Sequence, residues 1–431
     1  MFFFFFNNDE DRKTSVNGRS KDSHNVPSEQ INTELSLEVA MDQVLKAKEQ
    51  EAALAHFLGE DKCSVQNICG RKVFVYENDG KKFILLHKAI TYLGNPHPIF
   101  KKRIQLPTWM QEFCENVKAQ GLDYDVRLIG VYHYMNGVVF ADFDKEPYLK
   151  RKMHNSSAHI YINDIFQAYK QGVFHKIDQF GNHIHAIHSN KFKDYLMGKT
   201  ESKNQLFELF EKFNCGYTFG EWLYALDAIK EMHGNQWMHW QQAEWAGWFL
   251  EYRFNKFTID NNTTHLMRYV GTENKAKKEG TFDFDIFFPK DNFYGDLKAG
   301  DIEHRDAPGN DQGAFVECIN MHDRFWYVIY EHETKKDIDC GSVATIARNQ
   351  FIRSVKPDYE KDDMSYHERM KNSVRFVKMS ILELNRINFR SVLSDFNQGK
   401  QPDGKARAKK FIIKKKDMDQ YVVYRYNYEQ A

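Results

Sequence analysis

The chain has 431 residues, 42% of them hydrophobic and 15% aromatic, which is enough to bury the cores of two or three globular domains and excludes a low-complexity protein. Its 60 basic and 60 acidic side chains cancel, so net charge gives no argument for a nucleic-acid partner and leaves only a local basic stripe as a route to one. Six cysteines (Cys63, Cys69, Cys114, Cys215, Cys318, Cys340) are scattered without a C-x-x-C pair, which points to a reducing cytosol and away from disulfide staples or structural zinc.

The run Phe2 to Phe6 is too short for a signal-peptide core and has no basic residues before it, and no later stretch approaches ~18 apolar residues. No export and no membrane span are expected. Residues 1–30 are rich in Ser, Asn, Asp and Lys and predict a disordered tail. One amphipathic helix is expected over 33–58. Three hairpins follow: one at 71–93 around Glu77-Asn78-Asp79-Gly80, one at 126–143 around Asn136-Gly137, and one at 173–187 around Gln179 to Asn182. Helices are expected over 109–118, after Pro107, and through Tyr169 from a cap at Asn163 or Asp164. The third hairpin carries His175, His183, His185 and His188, whose alternate placement could share a face and bind zinc. Histidine is frequent throughout the chain, however, and ordinary surface imidazoles are the preferred reading.

Helices are also expected over 206–213 and 222–232. Five of the seven tryptophans fall between Trp222 and Trp248, in a segment that predicts one long helix from about Asn235 to Asn255. Glu244, Gly247, Trp248 and Glu251 share a stripe along it at steps of three and four. Strands at 265–270, 281–288 and 293–299 come next, then a polar loop over 301–309 and a helix over 312–320. The run FWYVIY at 325–330 is nearly continuous in apolar residues, as a central strand buried on both faces requires. The strands at 281–288 and 293–299 flank Pro289-Lys290-Asp291-Asn292, a turn cluster that makes them a hairpin. With Phe288 opposite Phe293, Asp285 falls opposite Asp296 and Asp283 opposite Lys298, all four on one face. Phe282, Phe284, Ile286, Gly295 and Leu297 take the other face. Carboxylates opposed in this way cost stability unless a cation neutralises them.

An Asp near the end of one strand, followed after a short turn by Asp-x-Lys on the next, resembles the signature of the PD-(D/E)XK nuclease superfamily, to which many type II restriction endonucleases belong. Asp285 and the triplet Asp296-Leu297-Lys298 carry the likeness. The resemblance implies that the two acids hold Mg²⁺ beside a scissile phosphate and that Lys298 positions or activates the attacking water. It also implies that the preceding helix can add a third carboxylate, Glu251 ahead of Glu244. The order helix, three strands, helix, strand over 235–333 is similar to the superfamily's αβββαβ core. Two departures are that no Pro precedes Asp285 and that Asp296 stands where the family often has Glu.

Residues 366–392 predict a helix from the spacing of Met370, Val374, Val377, Ile381 and Leu384. Eight basic residues then stand against the single acid Asp403: Lys400, Lys405, Arg407, Lys409, Lys410, Lys414, Lys415 and Lys416. They read as a stripe that contacts the phosphates of double-stranded DNA, and residues 421–428 as an aromatic strand behind it. Base readout is assigned to the hairpin turns, whose Asn78, Asn136, Gln179 and Asn182 carry amides.

The expected fold is α+β: a tail at 1–30, an α+β recognition region at 31–230, a restriction-endonuclease-like core at 231–355 and a helix-and-basic-strand extension at 356–431. The expected function is Mg²⁺-dependent, sequence-specific hydrolysis of DNA phosphodiesters, as in a cytoplasmic type II restriction enzyme. A repair or recombination nuclease would share this core, and a DNA-binding regulator could keep the fold without the chemistry. A homodimer is one assembly this reading allows.

Overall fold

The computed structural model describes residues 44–94, 96–135, 137–150, 157–200, 204–271, 282, 284–359, 364, 367–396 and 408–428. The expected tail, the first part of the helix expected from Thr33, Asn136, Asp283, Lys400, Lys405 and Arg407 lie outside the described residues.

The fold is α+β. Its first half contributes β1 (Cys63–Ile68), β2 (Arg71–Asn78), β3 (Lys81–Ala89), β4 (Thr91–Tyr92), β5 (Lys101–Gln105), β6 (Asp125–Tyr134), β7 (Gly137–Phe143), β8 (Ser157–Tyr161), β9 (Val173–Ile177) and β10 (His183–His188). Seven of these form a sheet in the order β1-β2-β3-β6-β7-β10-β9, in which β3 and β6 run parallel and the other pairs antiparallel. All three expected hairpins are present. Asp79 and Gly80 both take positive φ, 48° and 77°, which is the backbone that a two-residue type I′ turn between β2 and β3 requires. One face of this sheet buries Val75, Ile84 and Leu128; the other buries Tyr76, Ile129 and Phe140 against the helices Ala47–Leu58 and Ser189–Leu196. The strands β4, β5 and β8 form a small separate sheet.

The second half contributes β11 (Leu223–Tyr224), β12 (Arg268–Tyr269), β13 (Ile286–Phe288), β14 (Phe293–Asp301), β15 (Asp306–Asp311), β16 (Phe325–Lys336), β17 (Lys371–Leu384), β18 (Leu393–Phe396), β19 (Lys410–Lys414) and β20 (Val422–Asn427). Its large sheet is ordered β11-β17-β16-β14-β13-β12, with β20 also on β17. The pairs β12–β13 and β13–β14 are antiparallel, and β14–β16 is parallel. The helix Gln312–His322 lies on the crossover from β14 to β16, and the helix Trp245–Asp260 packs across β14. As expected for FWYVIY, β16 is buried on both faces: Trp326, Val328 and Tyr330 face one cluster, and Phe325, Tyr327 and Ile329 the other.

Four expectations are corrected. Residues 371–384 form the strand β17 and not a helix. A β-bulge opposite Glu331 and His332 leaves Val377 without a partner on β16, so the buried series Val374, Phe376, Met379, Ile381 steps by two, three and two and shows no unbroken alternation. The long helix begins at Trp245 and ends at Asp260; residues 235–244 turn, and Glu244 is its exposed N-cap. Within the polar stretch read as a loop, residues 306–311 are strand β15, which pairs with β19 in a three-stranded sheet with β18. Finally, the ladder of β13 stops at Ile286, so Phe282 and Phe284 pack on the opposite side of the sheet from Ile286 and Leu297.

The two large sheets meet where β9 lies against β20. A fully buried ion network crosses this seam. Lys176 Nζ donates to Asp164 at 3.1 Å and to the Asp419 carbonyl at 2.7 Å, and Arg425 donates to the Asp419 carboxylate at 2.8 Å and to the Ile177 carbonyl at 3.0 Å.

Candidate active site

The turn at Pro289 to Asn292 brings β13 back along β14 in the expected register, Phe288 opposite Phe293 and Ile286 opposite Gly295. Gly295 is required where it stands: a side-chain carbon there would sit 2.9 Å from the Trp326 carbonyl oxygen, so a bulkier residue would push β14 off β16. The next residue on β14 is Asp296, 2% exposed, and two further on is Lys298. Asp285 sits just before the ladder begins, and its carboxylate accepts a hydrogen bond from the Leu297 N–H at 2.9 Å. From the helix behind the sheet, Glu251 accepts a hydrogen bond from the Tyr269 hydroxyl at 2.6 Å. Asp285, Asp296, Lys298 and Glu251 thus gather at one place, with the Lys298 ammonium in an ion pair with Asp296. Glu244 is elsewhere, near Lys371.

The electrostatics follow from this crowding. Burial, then the like charges of Asp296 and Glu251, hold the Asp285 carboxyl well above the ordinary carboxylate range. Burial alone would push the Lys298 ammonium down, but Asp296, Asp285 and Glu251 outweigh it and hold the lysine above its ordinary value. Burial and the same acids raise the Tyr269 phenol, which therefore stays protonated and remains a donor. Three acids and one lysine leave the site short of positive charge.

A divalent cation would supply it, and the residues present fit one. Asp296 Oδ2 is buried against the Lys298 ammonium, a contact that a bound cation could take over. All the donors are hard carboxylate oxygens, the type Mg²⁺ prefers. Among the described residues no three His, Cys, Asp or Glu side chains converge as a ready metal cage, because Tyr269 draws Glu251 and Leu297 draws Asp285. Mg²⁺ needs only one or two carboxylates and keeps several waters, so Asp285 and Asp296 would be enough to hold one, with Glu251 as a third carboxylate nearby.

Tyr269 was not singled out from the sequence. The strand containing it was, but only its register, with Tyr269 opposite Ile286, puts the phenol next to Asp285.

The basic stripe divides. Lys409, Lys410 and Lys416 are exposed and Lys414 is half-buried. Lys415 is turned inward, with its ammonium 2.8 Å from Glu331 and 2.9 Å from the Asp301 carbonyl. Of the turn amides, Asn78 is buried, accepts from Lys62 and donates to Asp79 at 3.1 Å, and Asn182 is buried and donates to Asp178 at 2.8 Å, so both amides are engaged within the fold. Gln179 is exposed. The histidines do not converge on a point: His175 Nε2 and His183 Nδ1 are 3.0 Å apart and share a hydrogen bond, and the His185 ring stacks on His175 with centroids 4.2 Å apart.

Residues 81–196 match the model of the family described as Methylase-associated X1. This segment runs from β3 to the helix Ser189–Leu196 and so comprises most of the first large sheet. No curated protein and no solved structure matches the chain. Among the described residues, no helix is long and apolar enough to cross a membrane.

Proposed function

We propose that this chain is a Mg²⁺-dependent endonuclease that cuts double-stranded DNA as part of a restriction-modification system. The observation that carries the reading is the gathering of Asp285, Asp296 and Lys298 on neighbouring strands with Glu251 behind them. Two further observations support it. With β15 set aside in its own small sheet, the order helix, β12, β13, β14, helix, β16, with only the last pair parallel, is similar to the αβββαβ order expected of such a nuclease. The methylase-associated segment fits a context in which a modifying enzyme protects the DNA that this chain would cut.

Bound Mg²⁺ would polarise the phosphodiester and make its coordinated water more acidic. Asp285 and Asp296 would hold the ion, while Glu251, fixed by Tyr269, keeps the pocket negative enough to retain it. Lys298, kept charged by its acidic neighbours, would trade Asp296 for a phosphate oxygen and stabilise the charge that builds there during attack.

The test is a digest of unmethylated and methylated plasmids with Mg²⁺ and with EDTA. Discrete fragments are expected from unmethylated DNA with Mg²⁺ alone, and none from Asp285→Ala or Asp296→Ala. Lys298→Ala should still bind DNA and not turn it over. Full cutting by either aspartate variant would overturn the site, and a gel shift without cleavage under every condition would favour a DNA-binding regulator.

A further inference from the structure

A cavity of about 1070 Å³ lies at the seam where β9 meets β20, and none of the acidic cluster lines it. Its volume is that of a sizeable small-molecule site, and junctions between sheets are a preferred place for one. Its walls are unusually flat. On one side stand His175 and His183. With 3.0 Å between the bonded nitrogens, 5.1 Å between centroids and 14° between planes, these rings lie edge to edge as a two-ring shelf, backed by His185. Tyr424 also lines the space, stacked on Phe207 with centroids 4.6 Å apart and 17° between planes, and Phe207 stacks in turn on Trp326 at 5.6 Å. The exposed cations Lys191 and Lys199 line the space together with Asp194 and with Glu211, which the Tyr424 hydroxyl engages; Lys199 pairs with Asp79 at a long, solvent-exposed 4.0 Å.

A flat π-surface selects a planar aromatic group, because base stacking on it tolerates any ring. Lysines at the edge select an anion attached to it. Burial, then its neighbours His175 and His183, pull His185 down to about 3, so this ring backing the shelf carries no charge near neutrality and leaves the anion to the lysines.

We infer that the cavity between β9 and β20 is a nucleotide site, in which a nucleobase stacks on the histidine shelf while its phosphate meets Lys191 and Lys199. The nucleotide could be free or could belong to a DNA strand from which it has been turned out. This site shares no residue with the acidic cluster and stands or falls apart from the proposed cleavage.

The experiment is calorimetric titration of the full chain without Mg²⁺, so that cleavage plays no part. The probes are deoxyadenosine monophosphate, deoxyadenosine, inorganic phosphate, and two duplexes that differ only in one unpaired adenine. Deoxyadenosine monophosphate is expected to bind at one site, at least ~10-fold more tightly than deoxyadenosine or phosphate, since only it has both the ring and the anion. Lys191→Gln with Lys199→Gln should remove the advantage over deoxyadenosine, and His183→Ala should weaken both. Both lysines and His183 are exposed, so melting temperatures equal to the unsubstituted chain's are expected and check folding. A preference for the unpaired-adenine duplex that disappears in the double lysine variant assigns the strand as the source; loss confined to the mononucleotide assigns the free form. Phosphate binding as tightly as the mononucleotide, or affinities indifferent to all three substitutions, would overturn the inference.

Discussion

A phenol that donates to a carboxylate fixes where it points, and Tyr269 does this for Glu251 at 2.6 Å. Removing that single oxygen leaves the strands and the packing of Trp237 on the Tyr269 ring in place. Tyr269→Phe is therefore expected to raise the Mg²⁺ concentration for half-maximal cleavage by ~10–100-fold with little change in melting temperature. An unchanged Mg²⁺ requirement would make the hydrogen bond incidental to the site. His332 illustrates a different consequence of burial. It is fully enclosed, bonded to Thr334 and beside the Lys371 ammonium, and burial, then Lys371, lowers it from 6.5 to about 3. Between those values the unfolded chain binds a proton that the folded chain does not. The stability His332 contributes is thus fully present above pH 6.5 and is lost as pH falls toward 3. His332→Gln should remove this dependence. Urea unfolding at pH 7 and pH 5 should show the gap between the original chain and the variant narrowing by about 2 kcal/mol. A gap of constant size would mean that His332 takes up its proton in the folded state.

Elements whose signal is local were legible in the sequence, and those shaped by distant pairing were not. The turn at Pro289 to Asn292 fixed the register of β13 and β14 before any partner was considered, and the double-sided burial of β16 was visible in its unbroken apolar run. With them came the Asp285, Asp296 and Lys298 group and Glu251 on the helix behind. In β17 the bulge at Val377 shifts the phase of the inward residues, and a bulge is a property of the pair rather than of the strand. β15 has an apolar inward residue only at Ala307, so Asp306, Pro308 and Gly309 read as a loop until β19 is there to pair with them. The seam between the sheets was equally invisible, since its ions are distant in sequence. It nonetheless makes a firm prediction. Asp164 is fully buried and, with burial raising it against the opposing pull of Lys176, stands at about 6. Lys176→Met should destabilise the chain by ~3–5 kcal/mol, because it strands a buried carboxylate. Lys176→Met combined with Asp164→Leu should recover much of that loss in denaturant melts. Equal loss in both variants would mean that packing, and not charge, accounts for the effect.

At the scale of the whole molecule, the basic strand β19 and the acidic cluster belong to one arrangement. β19 pairs with β15, which follows directly on β14, and Lys415 binds the carbonyl of Asp301 at the end of β14, the strand that carries Asp296 and Lys298. A duplex lying on the exposed lysines of this small sheet would be placed in fixed relation to the acids. Lysines adjacent in sequence then have different duties. Lys415 and Lys378 together hold the Glu331 carboxylate, at 2.8 and 3.0 Å, and against burial they keep it below its ordinary value. Lys415→Gln should accordingly cost about 1–3 kcal/mol in stability, less than a fully stranded charge because Lys378 remains. It should leave the salt dependence of DNA binding unchanged. Lys409, Lys410 and Lys416 are exposed, and replacing all three with Gln should do the reverse. The melting temperature should hold, affinity for every DNA sequence should fall alike, and the slope of log affinity against log salt should flatten by ~0.9 for each phosphate that a lysine no longer neutralises. If the triple variant changed which sequence is bound, this strand would be reading bases. If Lys415→Gln flattened the salt slope instead, its ammonium would reach the phosphates and the Glu331 pairing would give way on binding.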